Sequence, residues 1–238
     1  MNNYEDSALK EMFIWQEKMK KKPSFSSGMA KGIQNKMNNL IPAKVQNVIN
    51  TSVENMAKLV LAGSEFSSKR PVTNMSLQER EILAKKAIEF YRTSATVSGA
   101  GTGAAGILVG LTDFPILLSL KVKFLFEIAS IYGFDVRSYK ERLYILYVFQ
   151  LAFSSDKRRL EIYTQISNWE TYVKELPTDI SSFDWTTFQQ EYRDYIDLAK
   201  MLQLVPGIGA AVGGYANYKL MTKLYDTALN AYRLRVFN

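Results

Sequence analysis

The sequence predicts an all-α protein: a single multi-helix bundle with two glycine-rich helix-turn-helix elements at its core. Three observations lead there. Apolar residues recur at helical spacing through most of the chain. No segment shows sustained period-two alternation bounded by turns, the mark of a half-buried strand. Two stretches, Val97 to Leu111 and Leu204 to Gly214, concentrate small residues, with glycines four apart at Gly99/Gly103, Gly106/Gly110 and Gly209/Gly213. Glycine in a helix interior costs about 1 kcal/mol relative to alanine. Such a density implies a return in close helix packing, so Gly103, Gly106, Gly110, Gly209 and Gly213 are candidate packing positions.

The elements follow in order. Asp6 to Met19 reads as an amphipathic helix, with Leu9, Met12, Phe13 and Met19 near one face, Trp15 at its edge, and Glu11, Glu17 and Lys18 elsewhere. It could lie on a lipid surface or dock on the protein's own core, and docking is the preferred reading for so short a helix. Pro23 and the Ser24 to Gly28 stretch end it. Met29 to Leu40 predicts a short helix, and Pro42 opens another that runs to about Leu61. Ala62 to Asn74 is a loop. Ser76-Leu77-Gln78-Glu79 has the form of a capping box, with a strong helix expected through Tyr91.

Beyond the first glycine run, Thr112-Asp113-x-Pro115 predicts a helix start, with Thr112 or Asp113 as cap and Pro115 in the first turn. That helix is expected to end near Gly133. Tyr139 to about Phe153, Lys157 to Glu175, Trp185 to Leu204 and Ile208 to Arg235 read as further helices, the last two interrupted by Pro206-Gly207. The aromatics Tyr144, Tyr147, Phe149, Tyr163, Trp169, Tyr172 and Tyr192 fall at helical spacing, as core or half-buried residues do.

Composition excludes several functions. The 238 residues contain no cysteine and no histidine. Disulfides, thiolate metal sites and the usual neutral-pH general base are therefore absent. No catalytic residues, metal site or cofactor is expected. Asp113 with Glu127 or Asp184 is the best carboxylate pair available, and nothing places those acids together. The net charge is +7, and its distribution is lopsided. Lys18, Lys20, Lys21, Lys22, Lys31, Lys36 and Lys44 fall in the span from Lys18 to Val53, which has no Asp, Glu or Arg. The remainder of the chain carries equal numbers of basic and acidic residues. This divides the chain into a basic amphipathic N-terminal helical region, 1–57, and a helical domain, 58–238.

Beside an anionic membrane each lysine contributes about 1 kcal/mol. Lys20, Lys21, Lys22 and Lys31 are the candidate contacts for lipid or another anionic surface. The cluster lacks arginine, the usual residue for bidentate phosphate and base recognition, so nucleic acid is not the expected partner. No secretory leader is visible at Met1 to Asp6. Ala95 to Leu120 carries one formal charge, Asp113, and Met201 to Tyr218 carries none. Both runs are marginal as membrane spans of about 20 apolar residues. Asp113 and Asn217 are the candidate buried polar residues, the first as a helix cap and the second bonding across to the first glycine element.

The stretch from Gly99 through Asp113-Phe114-Pro115 to Ile128-Ala129-Ser130-Ile131-Tyr132-Gly133-Phe134-Asp135 resembles the EcsC family. So does Val205-Pro206-Gly207-Ile208-Gly209-Ala210-Ala211-Val212-Gly213-Gly214, followed by Asn217 and Ala228. The resemblance covers roughly Lys58 to Phe237. The chain is also distantly similar to membrane-associated helical domains fused to some small GTPases, but it has no P-loop and no nucleotide chemistry transfers. The family resemblance implies a cytoplasmic protein peripheral to the inner face of the cell membrane, connected with an ABC transporter, secretion or peptidase regulation. It implies no reaction. The expected function is non-enzymatic binding to membrane lipid, to a membrane transport complex, or to both. The alternative is a carrier of lipid or a small apolar molecule in a pocket between the glycine-rich helices.

Overall fold

A computed structural model describes residues 3–21, 43–63, 70–103, 107–154, 158–178 and 210–237. Among these residues there are eight helices and no strand: α1 (Asn3–Lys20), α2 (Ala43–Ala62), α3 (Leu77–Gly103), α4 (Ile107–Ile131), α5 (Tyr139–Phe153), α6 (Arg159–Ser167), α7 (Trp169–Tyr172) and α8 (Ala210–Phe237). The expected helices at 29–40 and 185–204, and the Pro206-Gly207 interruption, lie outside the described residues.

The pairing of α3 with α8 is the most extensive in the bundle, and α4 packs next to α3. Helix α2 lies on α4 and α5, while α1 lies across α8, α6 and α3. Every side chain of α5 from Leu143 to Phe153 is buried. A helix apolar on all sides belongs at the centre of a bundle. Aromatic rings fill the space beside it: Tyr144 meets Trp169 edge-on at 5.0 Å and Tyr232 at 5.3 Å, and Tyr232 stacks on Tyr132 at 5.5 Å. Tyr147, Phe149 and Tyr163 are buried as well, and Tyr192 lies outside the described residues.

Local sequence explains the boundaries. The capping box forms reciprocally: the Glu79 amide donates to Ser76 Oγ at 3.3 Å, and the Ser76 amide and hydroxyl donate to Glu79 Oε2, each at 2.8 Å. The Ser76 hydroxyl and then its amide hold the Glu79 carboxyl below its ordinary range. Helix α4 ends in a Schellman motif. Phe134 N–H donates to Ala129 O and Gly133 N–H to Ser130 O, both at 3.0 Å, with Gly133 at φ +90°. Arg142 ties α2 to α5, donating from Nε to the Leu61 carbonyl at 2.9 Å and from Nη1 to the Arg137 carbonyl at 2.6 Å.

Three expectations are corrected. The helix expected to start at Thr112-Asp113 starts at Ile107, so Pro115 sits inside it and Asp113 is not its N-cap. Pro115 removes one backbone hydrogen bond, an interior cost of about 3 kcal/mol. The burial of Phe114, Leu117 and Leu118 around it offsets that cost. The single helix expected from Lys157 to Glu175 is broken at Asn168, whose side-chain amide donates to the Thr164 carbonyl at 3.0 Å. The break turns Trp169 into the aromatic core. In α1 the buried residues are Ala8, Met12 and Trp15, so Trp15 is central to the docked face and Phe13 points outward.

Candidate functional site

Helix α1 is fixed to the body by more than its apolar face. Trp15 meets Tyr163 edge-on at 5.8 Å. Tyr4 donates to Glu81 Oε2 at 2.7 Å. Arg233 on α8 grips Glu81 on α3 with Nε and Nη2, both at 2.7 Å, and its Nη1 reaches Glu11 on α1 at 2.9 Å. Tyr132 adds a hydrogen bond to Glu81 Oε1 at 3.0 Å. Glu81 and the Arg233 side chain are only 5% and 4% exposed, so this is a buried pair clamped bidentately. Burial alone would lower the guanidinium's proton affinity, but the hydrogen bonds and charge of Glu81 outweigh it, and the net shift is upward. Burial, with the Glu81 hydrogen bond, raises the Tyr4 hydroxyl.

Arg159 closes the other end of α1. Its Nη2 donates to the Lys21 carbonyl at 2.9 Å and its Nε to the Met19 carbonyl at 3.4 Å. A cation on the last carbonyls of a helix satisfies the orphan acceptors and complements the dipole. The first lysines of the span, Lys18, Lys20 and Lys21, are therefore carried on a pinned helix end. Lys20 and Lys21 are exposed there, and Lys20 Nζ lies 3.2 Å from Glu17. Lys22 and Lys31 lie outside the described residues.

Of the glycines, Gly103 ends α3, and Gly110 and Gly213 lie within α4 and α8, while Gly106 and Gly209 fall outside the described residues. Asn217 is fully buried. Asp113 and Glu127 share α4 and are separated by about 21 Å of helix rise, too far to act as a pair. Glu127 instead accepts from Tyr91 at 3.1 Å, and Asp184 lies outside the described residues. No described helix is long and apolar enough to cross a membrane. No group of described carboxylates is placed to hold a metal ion.

Sequence reading missed the structure's buried charges. A second pair joins Arg235 Nη1 to Glu141 Oε2 at 2.6 Å, with Tyr232 donating to Glu141 Oε1 at 2.7 Å and the guanidinium 3.7 Å from the Phe134 ring centre. Burial raises the Glu141 carboxyl despite the opposing pull of Arg235. Lys121 on α4 is fully buried, and among the described residues its Nζ donates only to the Leu117 carbonyl of its own helix, at 3.4 Å. Desolvation pushes its amine down to about 7. Its signal was present in the sequence. Phe114, Leu117, Leu118, Leu125 and Ile128 mark one helical face, and Lys121 sits on it.

Two clefts flank α3. One, about 400 Å³ against α8, is lined by Glu89, Arg92, Thr93, Thr96 and Tyr218, with the Arg92 guanidinium 4.9 Å over the Tyr218 ring. The other, about 420 Å³ against α4, is mostly apolar, with Val72, Leu83, Ala87, Phe90 and Ile131 on its walls.

These features define an all-α bundle stapled by buried ion pairs, with exposed lysines at the end of one anchored helix. The chain belongs to the EcsC protein family, whose model matches residues 6–237, α1 included. It is 46% identical over 229 residues to the protein named EcsC of Bacillus subtilis (strain 168), covering 96% of this chain and 94% of that one. It is also 28% identical over 173 residues to the uncharacterized protein YdbA of the same strain, covering 71% and 62% of the two chains. No solved structure matches.

Proposed function

We propose that this protein is a non-enzymatic, membrane-peripheral component of the cytoplasmic face, held there by anionic lipid or by a membrane transport complex. The observation that carries the reading is the acid-free span with its seven lysines from Lys18 to Val53. Its support lies in where the span begins. Ala8, Met12 and Trp15 fix α1 on the protein's own core, and the lysines at its end supply the electrostatic contact. Lys20, Lys21, Lys22 and Lys31 make that contact. The glycines at 103, 106, 110, 209 and 213 serve close approach of helices. Vesicle co-sedimentation tests it. The protein is expected to bind phosphatidylglycerol-containing vesicles and not pure phosphatidylcholine, and Lys20→Glu with Lys21→Glu, Lys22→Glu and Lys31→Glu is expected to abolish binding. Equal binding to both vesicles, or binding to neither, would refute it.

A second reading is a carrier of an apolar molecule; the cleft that supports it lies between residues 83–91 of α3 and 127–131 of α4, away from the glycine runs where such a pocket was expected. Displacement of a fluorescent fatty acid from that cleft, abolished by Ala87→Trp, would support it over the first.

A further inference from the structure

The cleft of about 400 Å³ between α3 and α8 holds an arginine whose donors have no partner. The Arg92 guanidinium lies 4.9 Å from the Tyr218 ring centre and 5.9 Å from that of Tyr225, so two rings of α8 hold the cation in place. Among the described residues it has no carboxylate or carbonyl partner, and its Nε is sealed from water without one. Glu89 lies one turn earlier on α3 and lines the same cleft, yet the two do not pair. That spacing ordinarily brings opposite charges together. Two threonines complete the lining. Thr93 Oγ1 donates to the Glu89 carbonyl at 3.0 Å, and Thr96 Oγ1 to the Arg92 carbonyl at 2.8 Å. Each hydroxyl has given its one proton to its own helix, so what it offers a ligand is an acceptor. The cleft therefore has two chemical halves: the donor-only fork of Arg92, and three acceptors, the Glu89 carboxylate and the two hydroxyls.

We infer that this cleft binds a small zwitterion, with its carboxylate or phosphate on Arg92 and its primary ammonium on Glu89, Thr93 and Thr96. A simple anion would meet the charge of Glu89, and a simple cation that of Arg92. A ligand carrying both charges uses every group. The guanidinium fork suits a carboxylate or a phosphate bidentately. Residues three apart on a helix start about 5–6 Å from each other, which fits an anion and an ammonium separated by a few bonds. The ammonium must keep its N–H bonds, because it faces three acceptors; a quaternary amine offers them nothing. At about 400 Å³ the cleft is at the small end of ligand sites, as such a molecule requires. Two sources carry this chemistry: small amino acids or phosphoethanolamine in solution, and the phosphoethanolamine head of a membrane lipid. The site stands apart from the lysine span and does not rest on it.

Isothermal titration of the full chain tests this, with glycine and O-phosphoethanolamine as probes against acetate, inorganic phosphate, ethanolamine and phosphocholine. A zwitterion with a primary ammonium should bind about tenfold or more tighter than either of its halves, each of which forgoes one set of charge-assisted bonds. Phosphocholine should bind no better than phosphate. Arg92→Gln should remove the binding. Glu89→Gln should weaken the zwitterion about tenfold and tighten its anionic half, opposite signs that a general disturbance of the fold does not produce. Glu89 is exposed, so that variant should melt as the parent does. Sedimentation with phosphatidylcholine vesicles, with and without phosphatidylethanolamine, separates the two sources. Recruitment that needs phosphatidylethanolamine and is lost in Glu89→Gln gives the lipid head; binding in solution without such recruitment gives the free molecule. Zwitterions that bind no tighter than their halves, or a Glu89→Gln change of one sign for both, overturn the inference. So does the absence of binding to every probe, in solution and on vesicles.

Discussion

Arg233 and Lys121 are both cations sealed inside the bundle, one at the junction of α1, α3 and α8, the other within α4. Arg233 is surrounded by acceptors: both oxygens of Glu81, the carboxylate of Glu11, and the weaker contacts of Ala8 O and Asn230 Oδ1 at 3.4 Å. Lys121 has one long bond to its own helix. The first arrangement holds three helices in register. Among the described residues the second has no partner across the fold, and its burial is a cost that the apolar packing of α4 must offset. Burial of a charge therefore says little by itself; what faces the charge decides whether it staples or strains.

The largest effect should come from breaking the staple. Glu81→Ala leaves Arg233 without its bidentate partner and removes the acceptor of Tyr4 and Tyr132. We expect a loss of about 3–5 kcal/mol in denaturant unfolding, the usual cost of stranding one member of a buried pair. Glu81→Leu with Arg233→Met should lose markedly less, because no charge is left stranded. A double variant as damaged as the single one would show that the ion pair is not what couples α1, α3 and α8.

Lys121 should behave oppositely. Its amine falls from 10.5 to about 7 on folding. Between these values the unfolded chain holds a proton that the folded one does not. Stability linked to this group therefore rises with pH from about 7 to 10.5. Below that window the penalty is fully present, on the order of a few kcal/mol. Lys121→Met should stabilise the protein at neutral pH by an amount of that order and flatten its stability profile through the window. Thermal melts across the range measure both. A variant that is less stable, or that keeps the parent's slope, would mean that the amine performs a structural task.

Why one cation was legible and the other was not is a matter of range. Lys121 shares its helical face with Leu117 and Leu125, so periodicity alone places it inside. Glu81 likewise sits among Leu77, Ala84 and Ile88 on the buried face of α3. Its partner lies 152 residues away, and no local pattern pairs them. The same limit explains α1. Its apolar residues run almost all round the helix, so spacing grouped Phe13 with Leu9 and Met12. The choice of docked face came from contacts outside the helix, Tyr163 against Trp15 and Arg233 against Glu11. At Pro115 a motif that suits a helix start was overridden by burial on both sides of it. Signals with local causes, the Ser76–Glu79 box and Tyr139 to Phe153, were read correctly from sequence.

The smallest expected effect sharpens the comparison at its exposed limit. Lys20 pairs with Glu17 at 3.2 Å, and the two side chains are 51% and 71% exposed. Water screens such a pair, and its contribution to stability is at most about 1 kcal/mol. Glu17→Gln should therefore leave the unfolding midpoint nearly unchanged. It also removes the negative charge nearest the start of the lysine span. If the lysines act by electrostatic attraction to anionic lipid, the same substitution should tighten binding to phosphatidylglycerol vesicles while leaving the fold alone, and the gain should shrink as salt is raised. A cation whose pairing is irrelevant to stability but costly to binding is positioned for recognition. Unchanged vesicle binding by Glu17→Gln at low salt would count against that assignment for Lys20, whatever the remaining lysines do.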